Sequence, residues 1–114
     1  MVIDYRGYTL IPGTVDQFLE CFEKEGLQVQ LDILGNFLGI FRTEIGRVNE
    51  VIHLWGYDNA HERQIRRDKL FQDPGFKVYV AKQRKLIMSQ DVRLLTPADF
   101  SPITVVRQPA EILG

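Results

Sequence analysis

The spacing of apolar side chains in the first half of the chain predicts three strands and one helical region. Apolar and polar residues alternate over Ile3–Leu10, which is typical of a strand. Apolar residues at helical spacing over Thr14–Gly35 predict a helical region. It begins with a capping box at Thr14, and Gly26 is expected to interrupt it. Apolar runs at residues 37–44 and 51–57, separated by a loop, predict a hairpin of two further strands.

The second half of the chain continues with helix and strand. A charged helix is expected over Asn59–Phe71, whose first residue suits an N-cap and is followed three positions later by an acidic side chain. The Asp73-Pro74 pair predicts another short helix, because proline fits the first helical turn. Residues 86–95 predict a fourth strand, and the prolines beyond it predict an irregular tail with one short extended piece at 103–106.

This order of strand, helix, strand, strand, helix and strand predicts an α+β protein with a ferredoxin-like βαββαβ fold. The sheet of such a fold is antiparallel and carries all of its helices on one face. The 114 residues are the length of one ordinary domain. We therefore expect one domain over residues 1–102 and a C-terminal tail over residues 103–114.

Two of the predicted strands are apolar on both faces. In the strand at 51–57, Val51 and Trp55 alternate with Ile52 and Leu54, and the strand at 37–44 has a similar pattern. Helices on one face of the sheet cover only one of these two sets. A second copy of the same sheet would cover the other, so we expect a homodimer packed sheet to sheet. The alternative is that the C-terminal tail folds over the open face.

Charge, apolar content and cysteine content limit the partners and the cellular compartment expected for this chain. The chain is 45% hydrophobic and has 14 basic against 15 acidic side chains. Without a basic excess, nucleic acid and anionic membrane surfaces are poor candidates as partners. No apolar run approaches the roughly 20 residues that span a bilayer, and the N-terminal residues lack the features of a signal peptide. The single cysteine, Cys21, excludes an intramolecular disulfide, so we expect a cytoplasmic protein.

The middle of the chain is similar to a known family. The run from Glu44 to Asp58 includes His-Leu-Trp-Gly-Tyr and is followed by an arginine-rich helix and by Asp-Pro-Gly-Phe at 73–76. Together these motifs resemble the NIPSNAP family, and the likeness extends over roughly residues 3–102. The chain is similar to the stand-alone prokaryotic members, whose biochemical function is unassigned. The resemblance implies a ferredoxin-like domain that dimerises into an α/β barrel.

His53 is the candidate catalytic residue, as an acid or base. It shares strand parity with Trp55, and if Ile52 and Leu54 face the helices, both side chains face the interior of the dimeric barrel. Histidine titrates near neutral pH and can act as acid, base or ligand there. The alternative is a structural histidine, partly buried and hydrogen-bonded.

Several polar and aromatic side chains on the strands are candidate ligand-binding residues. Tyr5, Tyr8, Trp55 and Arg93 are expected to line a cavity with His53. Charged residues on otherwise apolar strands require partners, so they either form ion-paired networks or bind an anionic or enolic ligand. This set also includes Arg6, Arg42, Glu44 and Asp91.

The arginine-rich helix has two interpretations. Arg63, Arg66 and Arg67 could form a solvated face with pairs such as Glu62 with Arg66, or they could bind a protein partner. The first interpretation is the commoner outcome for such a helix.

Three functions follow as hypotheses. The first is a small-molecule enzyme or binding protein, with proton abstraction or cofactor-independent oxygenation as the chemistry to test. The second is a non-catalytic protein-protein interaction module. The third is haem binding through His53, by analogy with families that share the dimeric barrel.

Two histidines and one cysteine show no metal-ligand spacing and no glycine-rich phosphate loop is present, so we expect no metal or other cofactor. An open pocket with converging His53 and arginine would favour the first hypothesis, and a closed, dry cavity the second.

Overall fold

The structure is a computed structural model that describes residues 1–103. Its strands are β1 (Val2–Leu10), β2 (Asn36–Arg42), β3 (Glu50–Tyr57) and β4 (Ile87–Leu95). They form one antiparallel sheet in the order β2-β3-β1-β4. This order and the α+β class match the predicted ferredoxin-like topology. The extended piece predicted at 103–106 lies almost entirely outside the described residues.

Four α-helices connect the strands: α1 (Val15–Cys21), α2 (Leu27–Leu34), α3 (Ala60–Leu70) and α4 (Pro74–Arg84). The interruption predicted at Gly26 is a π-helical turn over Phe22–Gly26 that joins α1 to α2. An added Cβ at Gly26 would lie 2.5 Å from the Tyr79 ring, so glycine lets α4 pack closely there. Within the described part of the chain, no helix is long and apolar enough to cross a membrane.

Local capping signals set two of the helix starts. The Asn59 side chain accepts a hydrogen bond from the Glu62 amide at 2.8 Å, as predicted. The Asp73 carboxylate likewise accepts from the Phe76 amide at 2.8 Å, directly before Pro74. The capping box predicted at Thr14 is wrong, because its hydroxyl donates to the Ile11 carbonyl at 2.6 Å and makes no cap hydrogen bond.

The core lies between the helices and one face of the sheet. One buried cluster joins Trp55 and Tyr57 of β3 to residues of the helices and π-turn, namely Phe22, Leu34, Leu70, Phe76 and Tyr79. A second cluster joins Leu10 and Val51 to Val15 and Phe18. The edge strand β2 contributes Phe37 and Ile40 to the same side because a register shift between Phe37 and Gly39 inserts Leu38.

The condition under which His53 and Trp55 would face the interior of a dimeric barrel, namely Ile52 and Leu54 facing the helices, is not met in β3. Val51, His53, Trp55 and Tyr57 face the helices and are at most 5% exposed, while Ile52 and its neighbours of the same parity face away from them. Both parities of this strand are apolar, so the pattern alone did not decide which one the helices cover. The pattern did predict correctly that one apolar set is left on the face without helices.

Candidate functional site

His53 lies in an aromatic environment on the helix-covered face of the sheet. Its ring stacks on Tyr8 with centroids 5.5 Å apart and meets the edge of Phe22 at 5.4 Å. Trp55 Nε1 donates a hydrogen bond to His53 Nδ1 at 2.7 Å. Since β3 places Trp55 two residues further on, the two side chains share a face and the indole fixes the imidazole orientation.

These contacts determine the protonation state of His53. Burial, together with the smaller effect of the nearby Arg6 and Arg67 cations, lowers its pKa to about 3. The imidazole is therefore neutral at pH 7, and because Nδ1 accepts from Trp55, its proton lies on Nε2. The Nε2–H group is therefore a hydrogen-bond donor on the other side of the imidazole ring.

A second polar group, here called the Asp4 cluster, consists of Asp4, Arg6, Arg63 and Arg67. The Asp4 carboxylate is fully buried, and its Oδ2 lies 3.1 Å from Arg63 Nε, 3.5 Å from Arg6 Nη1 and 3.9 Å from Arg67 Nη1. Asp4 Oδ1 and the nearby Tyr57 hydroxyl have no hydrogen-bond partner among the described residues. Burial, and then the charge of Asp4, raises the pKa of Tyr57 to about 12, so this hydroxyl is neutral as well.

A solvent-accessible pocket of about 360 Å³ lies beside His53, between α4 and the sheet. Its polar end is formed by Arg6, Tyr8, His53 and Arg67. The remaining wall combines seven apolar and aromatic side chains, Phe18, Phe71, Phe76, Tyr79, Val80, Ile87 and Met88, with five polar ones, Gln30, Gln83, Arg84, Ser89 and Gln90. A concave pocket that combines aromatic and aliphatic walls with convergent polar groups is typical of a small-molecule site.

The predicted ligand-binding residues are divided between the two faces of the sheet. Tyr8 lines the pocket with His53, and Trp55 lies fully buried beside His53, which it holds by the hydrogen bond. Tyr5 and Arg93 pair with each other on the opposite face, where the Arg93 guanidinium lies 5.5 Å from the Tyr5 ring centroid. They therefore do not line the pocket that contains His53.

Two of the three arginines on α3 point inward, and the solvated-face interpretation is wrong for them. Arg63 and Arg67 turn toward Asp4, as described above, with side chains 19% and 13% exposed. Arg66 makes the predicted pair with Glu62 at 2.9 Å and also donates to the last two carbonyls of α2. Binding of a protein partner by these residues remains a prediction.

Ion pairing accounts for most of the charged strand residues. Besides Arg6 with Asp4, Arg42 pairs with Asp16 at 2.6 Å and Arg93 with Asp91 at 2.8 Å. Asp4 was not among the residues expected at the site. The signal that could have found it is parity, because Asp4 and Arg6 occupy alternate positions of one strand, on the same face as Tyr8.

The pocket does not fit haem bound through His53. Iron ligation by Nε2 requires a free lone pair on that atom, whereas the Trp55 hydrogen bond to Nδ1 leaves the proton there. In the part of the chain that the structure describes, no group of three or more His, Cys, Asp or Glu side chains is placed to bind a metal ion.

Comparison with known proteins agrees with the resemblance noted in the sequence. Residues 3–102 match the model of the NIPSNAP family. Protein NipSnap of Drosophila melanogaster is 30% identical over 101 residues, which are 89% of this chain and 36% of that protein. The chain thus spans about a third of the length of that relative. The crystal structure of a NIPSNAP family protein from Agrobacterium tumefaciens is 37% identical, with a TM-score of 0.87 over 90% of each chain.

A more distant likeness concerns the fold alone. A putative antibiotic biosynthesis monooxygenase from Nitrosomonas europaea superimposes with a TM-score of 0.65 over 85% of this chain and 98% of that one. The two are only 8% identical, so the likeness supports the α+β architecture and carries no residue role.

Proposed function

Since this chain belongs to the NIPSNAP family, whose model matches residues 3–102, we propose that it binds a small molecule in the pocket between α4 and the sheet. The observation that carries the proposal is the convergence of His53, Tyr8, Arg6 and Arg67 at one end of a pocket of about 360 Å³ whose wall also contains aromatic and aliphatic side chains. Polar groups that converge in this way fix the orientation of a ligand, while the apolar wall supplies contact area.

His53 acts in this proposal as a neutral hydrogen-bond donor. With a pKa of about 3, its imidazole accepts a proton poorly at pH 7, so the geometry favours binding over proton abstraction. A neutral imidazole N–H can still polarise a carbonyl oxygen of a bound molecule. An oxygenase reaction is supported by likeness of fold only, and no residue of the pocket adds to it.

The interaction-module hypothesis has less support. Arg63 and Arg67 contact Asp4 within the same chain, and Arg66 is occupied by Glu62 and by backbone carbonyls of α2. Side chains held in this way offer few free donors to a protein partner. An open pocket with His53 and arginine side by side is what the small-molecule hypothesis requires.

We also propose that the chain forms a homodimer through the sheet face that carries no helices. Tyr5, Ile52 and Leu54 lie on this face, with Phe41 at 53% exposure and Leu95 at 40%. A sheet that is apolar on both faces needs a layer on each of them. A second copy supplies a matching apolar face, and such self-complementary packing gives a two-fold dimer and the α/β barrel of the family resemblance.

A screen for ligands tests the first proposal with Trp55, the only tryptophan of the chain, as a reporter beside His53. Compounds are added to the full chain and followed by tryptophan fluorescence and by the melting temperature. Val80→Phe fills the pocket and should abolish the responses. Val78→Phe, on the exposed side of the same helix at 59% exposure, is the matched control and should keep them. Equal responses of the two variants would overturn the proposal.

Sedimentation velocity tests the dimer. The wild type should sediment as a dimer, and Phe41→Lys should dissociate it because a lysine ammonium would be buried in the interface. Val78→Lys adds the same charge at a similarly exposed valine on α4 and should remain dimeric. A stable wild-type monomer would contradict the proposal and favour the alternative in which the C-terminal tail covers this face.

A further inference from the structure

The Asp4 cluster contains more positive than negative charge. Three guanidinium groups surround one carboxylate, and among residues 1–103 no second carboxylate lies within 4 Å of Arg6, Arg63 or Arg67. The arginine side chains are only 12–19% exposed, so water compensates this charge poorly. A buried excess of two positive charges is costly unless an anion comes close to it.

The pocket is the open route by which an anion can reach this charge. Arg6 and Arg67 belong both to the Asp4 cluster and to the pocket lining. The positive potential of these two residues also acts on the neighbouring His53, where it lowers the pKa. This positive potential disfavours protonation of His53, and it favours an anion in the adjacent part of the pocket.

We propose that the ligand of this pocket is an organic anion with an apolar body, whose oxyanion group is bound by Arg6 and Arg67. This inference rests on the proposed small-molecule function and names its ligand class. His53 Nε2–H is a further donor at the same end of the pocket. Tyr8 is another, because its hydroxyl accepts from Arg6 Nε at 3.1 Å and so keeps its own hydrogen free to donate.

The guanidinium of Arg67 is held in place before any ligand arrives. It lies 5.3 Å from the centroid of the Phe71 ring and 3.9 Å from Asp4 Oδ2. Contacts on two sides restrict the side chain, so less conformational entropy is lost when it binds an oxyanion. Phe71, Phe76 and Tyr79 then provide an aromatic wall for the body of the ligand.

The experiment compares ligands of equal shape and different charge. Cyclohexanecarboxylate, its neutral amide and cyclohexyl phosphate are titrated into the full chain, with Trp55 fluorescence and calorimetry as readouts. We expect the carboxylate to bind about tenfold or more tightly than the amide, with a difference that narrows as salt is raised. Titration with cyclohexyl phosphate shows whether the pocket prefers a carboxylate or binds any oxyanion group. Inorganic phosphate alone should bind weakly, because it cannot use the apolar wall.

Variants test whether the Asp4 cluster causes the preference for the carboxylate over the amide. Arg67→Gln should reduce the carboxylate-over-amide ratio toward one, and Asp4→Asn, which raises the excess charge, should increase it. Arg47→Gln, at an exposed position in the loop between β2 and β3, is the control and should leave the ratio unchanged.

The outcomes separate this inference from the proposal on which it rests. Equal affinity of the wild type for carboxylate and amide would overturn the anion inference and leave small-molecule binding intact. If none of the cyclohexyl probes binds, the anion inference is overturned, whereas the proposed function is decided by the Val80→Phe and Val78→Phe screen.

Discussion

A fall in pH from 7 to 5 should destabilise the protein through His53. Its pKa is about 3 in the folded chain, against an ordinary value of 6.5 that applies when the chain is unfolded. Between these two values the unfolded state binds a proton and the folded state does not, so stability falls as the pH falls. The slope is about 1.4 kcal/mol for each pH unit below 6.5, which gives a loss of about 2 kcal/mol at pH 5.

Urea denaturation at several pH values measures this loss, with Trp55 fluorescence as the signal and the protein concentration held constant. Other groups also titrate in this range, so the wild type is compared with His53→Gln, which should lack the contribution of about 2 kcal/mol. His61→Gln is the matched control, because His61 is exposed on α3. The free energy of unfolding of His61→Gln should show the same pH dependence as that of the wild type.

Parallel pH dependences of the wild type and His53→Gln would refute this reasoning. If His53→Gln does not fold, proton NMR of the wild-type imidazoles provides the same test. The His53 resonances should then keep their neutral-state shifts down to pH 5. A midpoint for His53 near pH 6.5 would show that burial and the neighbouring arginines do not act as described.

Three further predictions concern the same region. Trp55→Phe should destabilise the fold by about 1–3 kcal/mol or more, measured by urea denaturation with circular dichroism, because it leaves His53 Nδ1 buried without a donor. Gly26→Ala should lower the free energy of unfolding by about 1–3 kcal/mol, since the new methyl group would lie 2.5 Å from the Tyr79 ring. Gly75→Ala is the control and should change the melting temperature little, because its methyl group meets only the Asp73 carboxylate, at 3.2 Å. Titration with haem should produce no Soret shift, and a shift that His53→Ala removes would contradict the assigned tautomer.

Local signals in the sequence predicted the element order well. Asn59 and Asp73 mark helix starts because a cap depends only on a side chain and an amide three residues away. The Glu62–Arg66 pair was predictable for the same reason, since helical spacing brings residues four apart together. Thr14 fails despite the correct motif, because its hydroxyl finds the nearer carbonyl of Ile11.

The candidate site was only partly predictable. His53 and Tyr8 were expected in one pocket and are found there, but Arg67, which also lines that pocket, was expected on a solvated face or at a protein partner. Its partner Asp4 is far away in sequence, and only the packing of α3 against the sheet brings the two charges together. Helical periodicity shows which residues share a face, but it does not reveal a distant buried carboxylate that turns an arginine inward.

The strand parity separates what the sequence determined from what the tertiary structure decided. The two-residue period of a strand determined that His53 lies on one face with Trp55 and that Ile52 and Leu54 share the other. Both sets are apolar, so burial of either one would satisfy the same pattern. The helices decided that His53 lies inside the domain, beside Arg6 and the pocket, because which face they cover depends on contacts between elements distant along the chain.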